Sequence, residues 1–214
     1  MTAGMRYHAF VPLVAAVANA TICVPILRQS VRQPRLRVFV WMTLALIAWN
    51  LDIFVLYFVP DAAAATRWSA VFRTGVCVAP AAALHTALVM FESRRWWWIA
   101  LLGLAYATAA FLVVENARGT LVDHLTRHAW GWYVHGGRYY WVLSAFLVGA
   151  LAVILQRVWH AYRHPSSPRQ RTQAQFWLLA TAVQTPFAVS NLLPIYGLNV
   201  YPLGSVGNIF FVAI

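Results

Sequence analysis

The chain has 214 residues, 62% of them hydrophobic and 10% charged, with a formal net charge of +11. A soluble domain carries about 25% charged residues, so this composition excludes a soluble enzyme, a disordered tail and a nucleic-acid-binding domain, and leaves a polytopic helical membrane protein whose basic excess sits in loops. All 16 basic residues are arginine, which removes any chemistry that needs a lysine amine, from a retinal Schiff base to a phosphate-loop lysine, and the 5 carboxylates offer little to paired-carboxylate hydrolysis.

A membrane-crossing helix needs about 20 apolar residues to cover a core of roughly 30 Å. Six runs meet that length: His8–Leu27, Val38–Phe58, Ala70–Phe91, Trp96–Val114, Tyr140–Trp159 and Gln175–Leu193. A seventh begins near Val200 and stops at Ile214. From Pro202 it reaches only about 20 Å at the helical rise, short of a crossing. The pattern predicts an all-α, seven-helix bundle whose last helix is cut within the membrane. Ala18-Asn19-Ala20 has the form of a signal-peptide cleavage site, but the apolar run continues to Leu27 and favours a retained helix. Cys23 and Cys77 fall inside apolar runs and read as small buried thiols.

Arginine placement sets the expected orientation. Arg28, Arg32, Arg35 and Arg37 follow the first run, Arg94 and Arg95 the third, and Arg157, Arg163, Arg169 and Arg171 flank the break between the fifth and sixth. The opposite loops hold Arg6, Arg67, Arg118, Arg127 and Arg138, interspersed with Asp61, Glu115 and Asp123. The richer side is expected in the cytoplasm and the N-terminus outside. Trp96, Trp97 and Trp98 at one membrane mouth, and Tyr139, Tyr140 and Trp141 at the other, fit interfacial belts.

Ionisable groups inside a bilayer are costly and mark function by default. Asp52, the one carboxylate in an apolar run, lies roughly 9 Å below the outer end of the second run, and Arg73 roughly 5 Å below that of the third. They can pair if those helices are neighbours. Asn50, Asn191 and the Tyr201-Pro202-Leu203-Gly204 turn fall at comparable outer depths. Asn50, Asp52, Arg73, Asn191 and Tyr201 are therefore the candidate ligand-binding residues, with a purely structural ion pair as the competing reading. His85 lies deeper and has no evident partner. His124 and His128 in the Glu115–Arg138 loop have a spacing that suits zinc if the loop is helical, yet no further ligand is fixed. No catalytic residue, metal or cofactor is assigned. In the sixth run Pro186 follows Gln184, and Pro194, Gly197, Pro202, Gly204 and Gly207 predict an irregular outer turn.

The run Asn191-Leu192-Leu193-Pro194-Ile195-Tyr196-Gly197 through Tyr201-Pro202-Leu203-Gly204 resembles the N-terminal seven-transmembrane sensor region of bacterial histidine kinases. So do Trp130-Gly131-Trp132-Tyr133 with Gly136, Trp49-Asn50-Leu51, and Pro80 with Leu84-His85. Asp52 departs from the pattern of that family. The resemblance implies a multi-pass protein of the bacterial inner membrane that receives a small-molecule or membrane signal. It also implies a cytoplasmic histidine kinase, or sometimes a diguanylate cyclase, beyond Ile214, with dimerisation through that missing part. The lipid bilayer is then the immediate partner, and no nucleic acid is expected. A stand-alone transporter and an integral-membrane enzyme remain the alternatives, although neither an inverted repeat nor an acid–base cage is visible.

Overall fold

The computed structural model describes residues 3–91 and 96–213. Arg94 and Arg95, which contribute to the orientation argument, lie outside the described residues, as does Ile214. The helices are α1 (Ala3–Ser30), α2 (Arg37–Phe58), α3 (Ala62–Phe72), α4 (Thr74–Met90), α5 (Trp96–Ala117), α6 (Tyr140–Arg163), α7 (Pro168–Ser190), α8 (Leu192–Ile195) and α9 (Gly204–Ala213). Among the described residues, six helical segments are long and apolar enough to cross a membrane. α9, where a seventh crossing is expected, is apolar but has only 10 residues and is not one of these six.

Two crossings start well before the apolar runs that announce them. The third crossing starts at Ala62 rather than Ala70. Asp61 caps it, its Oδ1 accepting from the Ala64 N–H at 2.8 Å, which satisfies one of the donors a helix start leaves unpaired. α3 passes into α4 at Arg73, and the bonds from Arg73 N to Ser69 O and from Cys77 N to Arg73 O carry the ladder across the junction. The sixth crossing starts at Pro168, where Ser167 caps the helix through Gln170 N at 3.2 Å and proline occupies the first turn.

The all-α expectation needs one correction. Residues read as a loop form an antiparallel hairpin, β1 (Val122–His128) paired with β2 (Gly131–Gly136). Gly131 takes a φ of 144°, open to a residue without a side chain. Its bare Cα faces the Tyr57 ring: a Cβ there would lie 2.6 Å from Tyr57 Cδ1. The hairpin folds because one face is buried. Tyr133, Val134 and Leu121 enter the apolar cluster that also holds Leu56, Leu143 and Ile195, and Trp132 Nε1 donates to Val59 O at 3.2 Å. A two-stranded hairpin is marginal in water by itself; here the helix ends supply its core.

α1, α2, α4, α6, α7 and α9 succeed one another as neighbours around a central space, while α5 packs outside against α4 and α6. The hairpin and α8 close one end of the ring. The contact of α2 with α4 is especially close at Gly75, where a Cβ would stand 2.5 Å from Ala45 O and 2.6 Å from Ala48 Cβ. Small residues let helix backbones approach in this way in a membrane protein.

Candidate functional site

The sequence-predicted pairing of Asp52 with Arg73 is present. Arg73 Nη2 lies 3.3 Å from Asp52 Oδ2, and the two side chains are only 3% and 6% exposed, respectively. Ser69 completes the group: its Oγ donates to Asp52 Oδ1 at 2.6 Å, and Arg73 Nη2 also donates to Ser69 Oγ. Sequence reasoning missed Ser69 because the third crossing was taken to begin at Ala70. The usable signal is helical spacing, since Ser69 stands four residues before Arg73 and so shares its face. Among the described residues both hydrogen bonds of the Arg73 side chain leave from Nη2. The guanidinium is a fork of several N–H donors, so its Nε and Nη1 remain unengaged there.

Asp52 and Arg73 line a cavity of about 200 Å³ in the middle of the helix ring. Tyr133, Tyr140 and Asn191 stand at the same end. The remainder of the wall is largely apolar, from Met42 and Leu46 on α2 to Ala79 and Ala83 on α4 and Leu151 on α6, with Gln184 and Thr185 supplied by α7. Ligand sites have this form: an apolar body with a few placed polar groups.

The other candidates divide. Asn191 lines the cavity, accepts the Gly204 N–H on Oδ1 at 2.8 Å, and accepts the Tyr133 hydroxyl on its backbone oxygen at 2.9 Å. Its Nδ2 has no hydrogen-bond partner among the described residues. Asn50 is fully buried and does not line the cavity; its Nδ2 donates to Leu46 O at 2.8 Å. Tyr201 stands at the covered end, its hydroxyl 3.1 Å from that of Tyr57 and its ring edge-on to Trp130 at 5.6 Å. Burial holds the Tyr133 phenol well above its ordinary value, and the Tyr201 phenol is also raised by burial. Both hydroxyls therefore stay protonated and able to donate.

His85 does have a partner: its Nδ1 lies 3.0 Å from the Tyr106 hydroxyl on α5. The loop histidines lie on a strand and its partner, not on a helix. His124 stacks on His135 at 4.6 Å and His128 on Trp130 at 4.5 Å, and no cluster of three or more metal-binding side chains occurs among the described residues.

The cavity wall is joined to α9 by polar contacts. Gln184 Nε2 donates to Asn208 Oδ1 at 2.7 Å, and Leu203 N donates to Ser190 Oγ at 2.9 Å. Gly204 and Gly207 allow the approach: a Cβ at Gly204 would overlap the Asn191 amide, and one at Gly207 would lie 2.7 Å from Phe187 Cβ.

A family model described as the N-terminal 7TM region of histidine kinase matches residues 11–214. No curated protein matches the chain.

Proposed function

The chain belongs to the family of N-terminal seven-transmembrane regions of histidine kinases, and from that premise we propose that its central cavity is the signal site and α9 the relay. The family makes the chain a membrane-embedded sensor region. The observation that carries the proposal is the direct bonding of the cavity wall to α9. A ligand that repacks α7 near Gln184, or shifts Asn191, acts on Asn208 and Gly204 without any intervening element. Such a relay requires a ligand that binds two arrangements of the ring with different affinity. Pro186, which has no N–H to give to the turn before it, provides the point at which the outer part of α7 can tilt.

In this reading the hairpin and the N-terminus face outward, as the arginine asymmetry supports. The protein sits in a bacterial inner membrane. α9 continues into a cytoplasmic output that dimerises and carries the kinase. Gln184→Leu tests the relay in a protein that carries this chain ahead of a kinase output. Autophosphorylation should lose its response to the stimulus while membrane insertion is retained. An unchanged response places the relay elsewhere.

A further inference from the structure

The cavity is covered where water would reach it and open where lipid would. At the hairpin end it lies beneath Tyr133 and Val134, which are buried in the apolar cluster of the covering layer. Two of its lining residues are nevertheless outward-facing: Val148 on α6 is 59% exposed and Val189 on α7 is 48% exposed. Both lie within crossing segments, so their exposed surface meets hydrocarbon. The gap between them is bridged on the hairpin side by the contact of Ser144 Oγ with Tyr196 Oη at 2.7 Å. Deeper in the bundle it is closed by the packing of Val158 and Ala161 against Ala174 and Leu178.

The interior is polarised along its length. One end holds Asp52 and Arg73, a formally neutral pair in which Arg73 keeps Nε and Nη1 without an acceptor among the described residues. From there the α4 wall runs through Val76, Ala79 and Ala83, about 15 Å from Arg73 to Ala83 at the helical rise. A water-soluble ion would leave that apolar length unfilled, and a plain hydrocarbon would leave the guanidinium donors unsatisfied.

We propose that the cavity takes a membrane-dissolved amphiphile, its oxygen-bearing head accepting from Arg73 and its alkyl tail lying along α4 and α6, admitted sideways from the bilayer between α6 and α7. The inference rests on the cavity being the signal site and specifies the chemistry of the signal. A carboxylate or carbonyl oxygen suits the head, because a guanidinium fork presents parallel donors to such groups. The tail replaces one hydrocarbon surrounding with another, so affinity must come mainly from the head and from packing.

The test uses the 214-residue chain in phosphatidylcholine nanodiscs and, as probe, decanoic acid with a photoreactive group in its tail. Labelling should saturate and map to α4 and α6 residues that line the cavity, such as Ala83 and Leu151. Excess decanoic acid should suppress it and excess acetate should not. Val148→Trp, which fills the opening between α6 and α7, should slow labelling. Arg73→Lys keeps a cation beside Asp52 but removes the fork, and should weaken decanoic acid competition by about tenfold, the loss expected for one charge-assisted hydrogen bond. Labelling confined to outward-facing residues overturns the inference, as does cavity labelling that acetate suppresses or that Val148→Trp leaves equally fast. These outcomes are independent of whether Asp52 and Arg73 are needed for signalling, so the amphiphile can fail while the site stands, and the reverse.

Discussion

Ser69 and Asp52 are joined by a hydrogen bond of 2.6 Å between α3 and α2, and the same hydroxyl accepts from Arg73. The serine thus ties both charges of a buried ion pair to one face of the third crossing. Desolvating such a pair is costly, and the hydrogen bonds that Ser69 makes with both partners offset part of that cost.

Removing one partner should therefore cost more than removing both. Asp52→Leu or Arg73→Leu alone should destabilise the bundle by about 3–5 kcal/mol, because a charge is left buried without its counterion. The double substitution should recover most of that loss. Ser69→Ala should cost about 1.5–3 kcal/mol, as for a hydrogen bond to a charged group. Unfolding in mixed detergent micelles measures all four; a double variant as unstable as the worse single variant contradicts the pairing.

Gly204 is the tightest point between α9 and the C-terminal end of α7. Gly204→Val forces a side chain into the Asn191 amide and should cost about 1–3 kcal/mol, the range for overpacking. The specific consequence is release of α9. Cysteines placed at Gln184 and Asn208, whose side chains meet in the native structure, should be bridged readily by a short bifunctional thiol reagent in the parent and poorly in the Gly204→Val background. Equal crosslinking in both shows that α9 docks without this contact.

The Tyr133 hydroxyl bond to Asn191 O fastens the hairpin to the α7–α8 corner. Tyr133→Phe should cost about 1 kcal/mol. Burial holds the phenol well above the ordinary tyrosine value of about 10, so the stability it contributes is complete below about pH 10. That stability is lost as pH climbs from there through the raised value of the folded state. The alkaline limb of a stability profile should accordingly be shallower for Tyr133→Phe than for the parent, and parallel limbs would assign the alkaline loss to other groups.

Much of this was legible in the sequence, for physical reasons. Helical crossings announce themselves because a bilayer of fixed thickness demands about 20 apolar residues. The depth of Asp52 and Arg73 follows from the helical rise alone, so their pairing was visible once α2 and the third crossing were taken as neighbours. Ser69 was hidden because α3 opens with Ala62 to Ala65 and then Thr66, Arg67 and Trp68, a mixed stretch in which no apolar run begins. The hairpin was hidden because its buried face depends on Leu56, Leu143 and Ile195, residues remote in sequence. The cavity was hidden as well: the apolar residues of α4 and α6 look alike in sequence whether they touch a neighbour or line a space.

Orientation rests on arginine counts and can be tested directly. A reporter active only in the cytoplasm should be inactive when fused at Val122 and active when fused at Ser167. Activity at both positions, or at neither, contradicts the arrangement in which the hairpin faces outward and the α6–α7 loop inward.

The most direct test of the central claim is the autophosphorylation response of the Asp52→Leu, Arg73→Leu double variant, made in a protein that carries this chain ahead of a kinase output. If the pair is a signal-reading group, the variant should insert and fold normally, phosphorylate at a basal level, and fail to change that level when the stimulus is applied. If the pair only holds α2 against the third crossing, the apolar replacements preserve packing and the response remains. A double variant that switches with the amplitude of the parent contradicts the account.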